Sequence, residues 1–154
     1  MNRDDIDRIM EVMEAAFDPA FGEAWTRRQV EDAIIMGNCH YQLIGESGLS
    51  SDADETTAGF CLSRTGFDEE ELLLFAVAPK YRRRGVGARM LELFIQSARS
   101  RGVRRLLLEM RRGNSAEQLY RSFGFVPIGE RCNDYRTADG NRIDAITFAV
   151  ELEY

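Results

Sequence analysis

At 154 residues the chain fits one domain spanning residues 1–154, long enough to bury roughly two thirds of the surface its unfolded form exposes. Its 44% hydrophobic and 30% charged residues are ordinary for a globular protein in water, and no apolar run approaches the ~20 residues that cross a bilayer. The net charge of −6 is unevenly spread: residues 80–112 hold eleven of the 20 basic groups against only Glu92 and Glu109, a formal +9. A basic middle in an acidic molecule suits a small polyanion better than a long nucleic acid, so neither a membrane nor nucleic acid is expected as a partner.

The acidic start, Asn2-Arg3-Asp4-Asp5, is not a secretory leader, and a cytoplasmic location is expected. Cys39, Cys61 and Cys132 are odd in number and far apart, which predicts three buried, reduced thiols. One histidine and no CxxC pair argue against zinc, and no metal is expected.

In chain order, Ile6, Ile9, Met10, Met13 and Phe17 recur on one face of a helix over residues 4–17, with Asp4 and Asp5 at its start. Thr26 caps a second helix over 27–36, which Gly37 ends, and Trp25 lies in the joint between the two. Residues 40–45 and 57–64 read as strands around a polar loop over 48–57. The acidic run 68–71 reads as a solvated turn, and the continuous apolar run 72–77 as a central strand. A helical stripe of Met90, Leu91, Phe94, Ile95 and Ala98 ends at Gly102, and residues 103–110 form another apolar strand carrying Glu109. Asn114 and Glu117 have capping-box spacing ahead of a short helix through Tyr120. Strands over 125–131 and 143–152 follow, joined by a turn at 137–141. The order α–α–β–β–β–α–β–α–β–β is that of an α/β (α+β mixed-sheet) fold with helices on both faces. The crossovers imply parallel pairing of the strands ending near Val77 and Met110.

Between these two strands lies Arg82-Arg83-Arg84-Gly85-Val86-Gly87-Ala88, a basic glycine turn that leaves a strand and opens a helix. Glycines at i and i+2 allow successive N–H groups to converge on one point. The helix adds its free first-turn donors and the positive end of its dipole, which makes an anion cradle. It is not a phosphate loop of the GxxxxGK[ST] kind, since Lys80 precedes the glycines. Nor is it a dinucleotide fingerprint, which needs a third glycine.

Joined in order by Leu106 to Glu109, Asn114, and Leu119-Tyr120 with Gly124-Phe125, this motif resembles the GNAT family of acetyl-CoA-dependent N-acetyltransferases over essentially residues 4–152. Within the family, the closer likeness is to members that acetylate the N-terminal alanine of a small-subunit ribosomal protein. It is carried by Phe75-Ala76-Val77, Tyr81 to Gly87, Leu108-Glu109-Met110-Arg111, Asn133, Tyr135, Thr137, Asp139-Gly140 and Asp144-Ala145.

The resemblance implies an acyl-CoA N-acyltransferase fold whose two parallel strands splay apart, as a bulge would make them do. Arg82, Arg83, Arg84, Gly85, Val86, Gly87 and Ala88 would hold the pyrophosphate of acetyl-CoA, chiefly through backbone N–H groups. The backbone of Phe75, Ala76 and Val77 would pair with pantetheine, and Asn114 would assist. Glu109 would be the general base, with the proton affinity of a carboxylate enclosed by an apolar strand, and Tyr120 the general acid. Trp25 and Tyr135 would meet the acceptor, a protein N-terminus, in a monomer or weak dimer. Read as residues alone, Glu109 could equally be a structural partner of Arg111 or another arginine, Tyr120 a core aromatic, and Trp25 a core anchor. A covalent route through Cys39 is disfavoured, because its neighbour His40 points to the other face of a strand.

Three features depart from the family pattern: the usual N-terminal strand is expected to be missing or vestigial, Asn114 and Tyr120 are one residue closer, and its Tyr-Tyr-Pro reads Asp134-Tyr135-Arg136. The alternative readings are a GNAT enzyme acting on a small amine or a lysine side chain, and a non-catalytic CoA- or RNA-binding module.

Overall fold

Six strands form a single mixed sheet in the computed structural model, which describes residues 3–48, 55–136 and 140–153. The elements are α1 (Arg3–Ala16), α2 (Arg27–Ile35), β1 (Cys39–Gly45), β2 (Thr57–Gly66), β3 (Glu69–Val77), α3 (Val86–Ser100), β4 (Arg105–Arg111), α4 (Glu117–Ser122), β5 (Val126–Arg136) and β6 (Arg142–Glu151). This is the order read from the periodicity. The expected turn at 137–141 and loop at 48–57 lie partly outside the described residues.

Across the sheet the strands run β1-β2-β3-β4-β6-β5. Only β3 and β4 are parallel, as the α3 crossover between them requires. On one face, Ile9, Val12 and Met13 of α1 and Val30 of α2 cover Leu43, Phe60, Leu62, Leu74 and Ala76. Thr26 and Gln29 close a reciprocal capping box that fixes the start of α2. On the other face, Met90, Leu91, Phe94 and Ala98 of α3 pack with Cys61, Leu72, Leu106, Leu108 and Phe148. No helix among the described residues is long and apolar enough to cross a membrane.

A bulge decides which side of β3 faces what. Leu62 pairs with Leu74 but Ser63 pairs with Leu72, so Leu73 is an extra residue in β3. An extra residue inverts the alternation beyond it. Leu72 therefore joins the α3-side core, Leu74 and Ala76 turn to α1, and Phe75 and Val77 return to the α3 side.

Two expectations are corrected. The acidic run is not a solvated turn: β3 begins at Glu69, and Glu70 is 0% exposed beneath α3. Arg101 holds it from Nε at 3.0 Å and Nη2 at 2.6 and 2.7 Å, while Ser63 donates to it at 2.5 Å. A carboxylate inside a fold survives only with its lone pairs filled in this way. Of the three free cysteines, only Cys61 is buried; Cys39 is half-buried and Cys132 is exposed on the edge strand β5.

Candidate active site

The parallel pairing of β3 with β4 runs from Glu69–Arg105 to Leu72–Leu108 and stops there, although β3 continues to Val77 and β4 to Arg111. Beyond the Leu73 bulge β3 stays with β2 as far as Gly59–Val77 and so leaves β4. Gly59 permits that close course, since a Cβ there would stand 2.7 Å from the Ala76 carbonyl oxygen. The expected splay is therefore present, with the bulge at its base.

A cleft of about 330 Å³ lies in the opening. Its walls are residues 72–75 of β3 and 108–110 of β4, together with Asn114 and Tyr120, with Glu23 and Trp25 from the segment between α1 and α2, and with Gln29 of α2. Five residues singled out in the sequence, Trp25, Phe75, Glu109, Asn114 and Tyr120, thus line one cavity. Trp25 is half-buried and also packs on the α1-side core, so it serves both readings.

Glu109 sits between buried Leu108 and Met110, and strand alternation turns it out of the core. The apolar enclosure expected for it is not found: its side chain is 27% exposed and forms an ion pair with Arg131 of β5. Arg111 is engaged elsewhere. Its Nε donates to Glu23 at 3.2 Å, and its guanidinium lies 3.7 Å from the centre of the Phe21 ring.

Tyr120 is buried with its ring edge-on to Phe75 at 5.8 Å and to Phe125 at 5.9 Å. Burial, chiefly, and then the charges of Cys61 and Glu23 push its hydroxyl above the ordinary phenol range. It therefore keeps its proton across the neutral range, as a proton donor must. Asn114 accepts from the Ala116 N–H at 2.9 Å, a local turn bond. The capping box is not formed, because Glu117 is the first residue of α4 and pairs with Arg121 at 2.9 Å.

The anion cradle lies past the end of β3. Gly85, in the left-handed region at φ 78°, caps α3 from its N-terminal side, and Arg83 shares that region at φ 62°. Only a glycine adopts this conformation without steric cost, so Arg83 stores strain of about 1 kcal/mol in the loop. The first backbone bond of α3 runs from Arg89 to Gly85. Helix geometry leaves the amides of Val86, Gly87 and Ala88 ahead of it as free donors. Gly87 faces Leu119, Phe75 and Val77, and the Val86 side chain is in the core. Arg83 and Arg84 are exposed. Arg82 points elsewhere: its guanidinium donates to the Val77 carbonyl at 3.1 Å and the Ala16 carbonyl at 2.7 Å, strapping the end of β3 to the end of α1.

Tyr135 pairs through its backbone with Ile143, but its side chain lies outside the described residues. Glu23, Gln29 and Arg131 belong to the site or its rim and were not singled out in the sequence, and Arg111, read there as a possible partner of Glu109, pairs with Glu23 instead. Local signals existed for two of these: Arg111 is two residues past Glu109 and so on the same face of β4, and Glu23 is two residues before Trp25.

Comparisons with known proteins agree with this geometry. Residues 43–127 match the Acetyltransferase (GNAT) domain family. The [ribosomal protein bS18]-alanine N-acetyltransferase of Salmonella typhimurium is 40% identical over 105 residues, covering 68% of this chain and 70% of that protein. The crystal structure of the ribosomal-protein-S18-alanine N-acetyltransferase from Escherichia coli superposes with a TM-score of 0.82 at 30% identity, over 100% of this chain and 92% of that one. An aminoglycoside 6'-N-acetyltransferase complexed with coenzyme A shares the fold alone, with a TM-score of 0.75 at 16% identity over 99% of this chain and 93% of that one. With its parted parallel strands, glycine cradle and matching domain, the chain belongs to the GNAT family of N-acetyltransferases.

Proposed function

We propose that this chain is a single N-acetyltransferase domain, residues 1–154, that moves the acetyl group of acetyl-CoA to the N-terminal α-amino group of a protein. The acceptor proposed is an Ala-initiated small-subunit ribosomal protein, the substrate named for its Salmonella and Escherichia coli relatives. The reading places it in the cytoplasm as a monomer or weak dimer, without metal, membrane or nucleic acid. The observation that carries the proposal is the shared cleft: Glu109 and Tyr120 line one opening between strands that part just before the cradle.

In this reading the backbone amides of residues 82–88 and the exposed side chains of Arg83 and Arg84 hold the pyrophosphate, while the Arg82 side chain braces the end of β3 beside it. Phe75 to Val77, unpaired on their β4 side, align the pantetheine and polarise the thioester carbonyl near Val77, and Asn114 contributes from the cleft wall. A protein α-amino group has a pKa of ~7.7–8, so it becomes a neutral nucleophile at small cost, whereas a lysine at ~10.4 does not. The amine nitrogen bonds to the acetyl carbon and its proton passes to the Glu109 carboxylate. As the carbon–sulfur bond breaks, Tyr120 gives its proton to the thiolate and recovers one from solvent. The acceptor's first residues lie against Trp25 and Tyr135. Acidic surroundings favour a cationic tail.

The test is turnover with acetyl-CoA on peptides differing only in their first residue, beside a lysine peptide blocked at its N-terminus and a polyamine. The Ala-initiated peptide is expected to react fastest, and Glu109→Gln to lower kcat by about 100-fold or more. Faster acetylation of the lysine peptide or the polyamine would overturn the acceptor assignment. Unchanged turnover by Glu109→Gln would overturn the base.

A further inference from the structure

We infer that Arg111 is a positioning residue that sets the acceptor-side wall of the cleft, and that its clamp on Phe21 and Glu23 governs capture of the acceptor rather than of acetyl-CoA. The inference rests on the cleft being the acceptor site. Phe17, Gly22, Glu23, Ala24 and Trp25 form this wall, in the segment between α1 and α2. That segment is braced within itself by short local bonds, Phe21 N–H to the Asp18 carbonyl and Ala20 N–H to the Asp18 carboxylate. Such turns fix local shape but not the distance to the sheet.

Arg111 supplies the tie to β4. It is the last residue of that strand, two positions beyond Glu109 and on the same side. Its Nε bonds Glu23 at 3.2 Å while its planar face stacks 3.7 Å from the Phe21 ring centre. Both members of the ion pair are only 17% exposed, so the contact is mostly sheltered from water and holds its geometry. The same Glu23 lines the cleft and adds to the negative field felt by Tyr120. One guanidinium therefore fixes the wall's height above Glu109 and places a second, arginine-bound carboxylate where a cationic amine enters. The acetyl-CoA elements, the end of β3 and the cradle, have a brace of their own that does not involve Arg111: Arg82, which bonds the Val77 and Ala16 carbonyls.

The experiment is steady-state kinetics with both substrates varied, on Arg111→Met, Arg111→Lys and Phe21→Leu, alone and combined. Arg111→Met is expected to raise the acceptor KM about tenfold, with kcat and the acetyl-CoA KM within about twofold of wild type. Arg111→Lys, which keeps charge without the planar face, falls between. Phe21→Leu combined with Arg111→Met adds little to the latter alone, since both break one contact. If Arg111→Met does not fold, Glu23→Gln breaks the same pair from its other side and carries the test. An unmoved acceptor KM, or an equal rise in the acetyl-CoA KM, overturns the role given to Arg111. Wild-type protein that turns over no N-terminal peptide instead overturns the acceptor reading.

Discussion

Glu70, near the start of β3, and Glu109, near the end of β4, each hold an arginine, but the two pairs stand in different surroundings. Glu70 is 0% exposed and Arg101 reaches it with three N–H contacts while also donating to Ser97. Glu109 is 27% exposed and its partner Arg131 is 62% exposed. The difference follows from where the strands separate. Between Glu69–Arg105 and Leu72–Leu108 the sheet is closed, and a charge there must be satisfied entirely by protein. Past Leu108 β3 and β4 part, water reaches the Glu109 carboxylate, and its partner is itself mostly exposed. The same two residue types thus make a buried, fully satisfied bond in one place and a solvated, readily exchanged one in the other.

The largest effect expected from this contrast is on stability. Arg101→Met leaves Glu70 buried without its cation and should cost about 3–5 kcal/mol in urea unfolding, with the kinetic constants of the folded fraction unchanged. A cost under about 1 kcal/mol would mean that water reaches Glu70 after all, and the contrast with Glu109 would collapse.

A smaller effect comes from pH. Burial, with Glu70 nearby adding to it, pushes the Cys61 thiol up to about 12. An unfolded chain releases that proton near the ordinary thiol value of ~8.5, so between there and 12 the unfolded state binds fewer protons than the native one, and stability falls as pH rises. Tyr41, pushed up to about 12 chiefly by burial and then by Asp5, acts in the same direction from about pH 10. Urea midpoints at pH 8 and 10 should show the loss, and Cys61→Ala should flatten it. A slope unaltered in that variant would place the titrating group elsewhere.

The smallest effect sharpens the contrast within two adjacent residues. Glu71 pairs with Arg64 at 3.1 Å, but both side chains are well exposed. Arg64→Ala should cost less than about 1 kcal/mol by the same urea measurement. A loss comparable to that of Arg101→Met would show that exposure is not what separates the pairs.

Much of this was legible in the chain because its signals are local. Helical stripes such as Met90, Leu91, Phe94 and Ala98, the Thr26 cap and the glycines at 85 and 87 act over a few residues, and all correspond to elements of the fold. The gathering of Trp25, Phe75, Glu109, Asn114 and Tyr120 followed from motif resemblance and topology together. What stayed hidden depends on contacts between distant segments. Nothing near Glu70 announces Arg101, 31 residues away, so an acidic run was read as a turn. Nothing near Glu109 announces Arg131, 22 residues on, or near Arg111 the glutamate 88 residues earlier. Leu73 is equally silent: an unremarkable leucine in an apolar run, its role as the bulge appears only when β2 and β3 are laid side by side.

The four paired positions at the closed end of β3 and β4 also act as the root of a wedge. Beyond them β3 runs five more residues, about 16 Å, so a small change of angle at the root becomes a large change of width at the mouth. If the slot takes an acyl donor as proposed, Leu72 and Leu108, both buried at that root, have leverage over which acyl chain fits it. Selectivity for the donor can drift through the packing of two leucines, with every group that does chemistry left as it is.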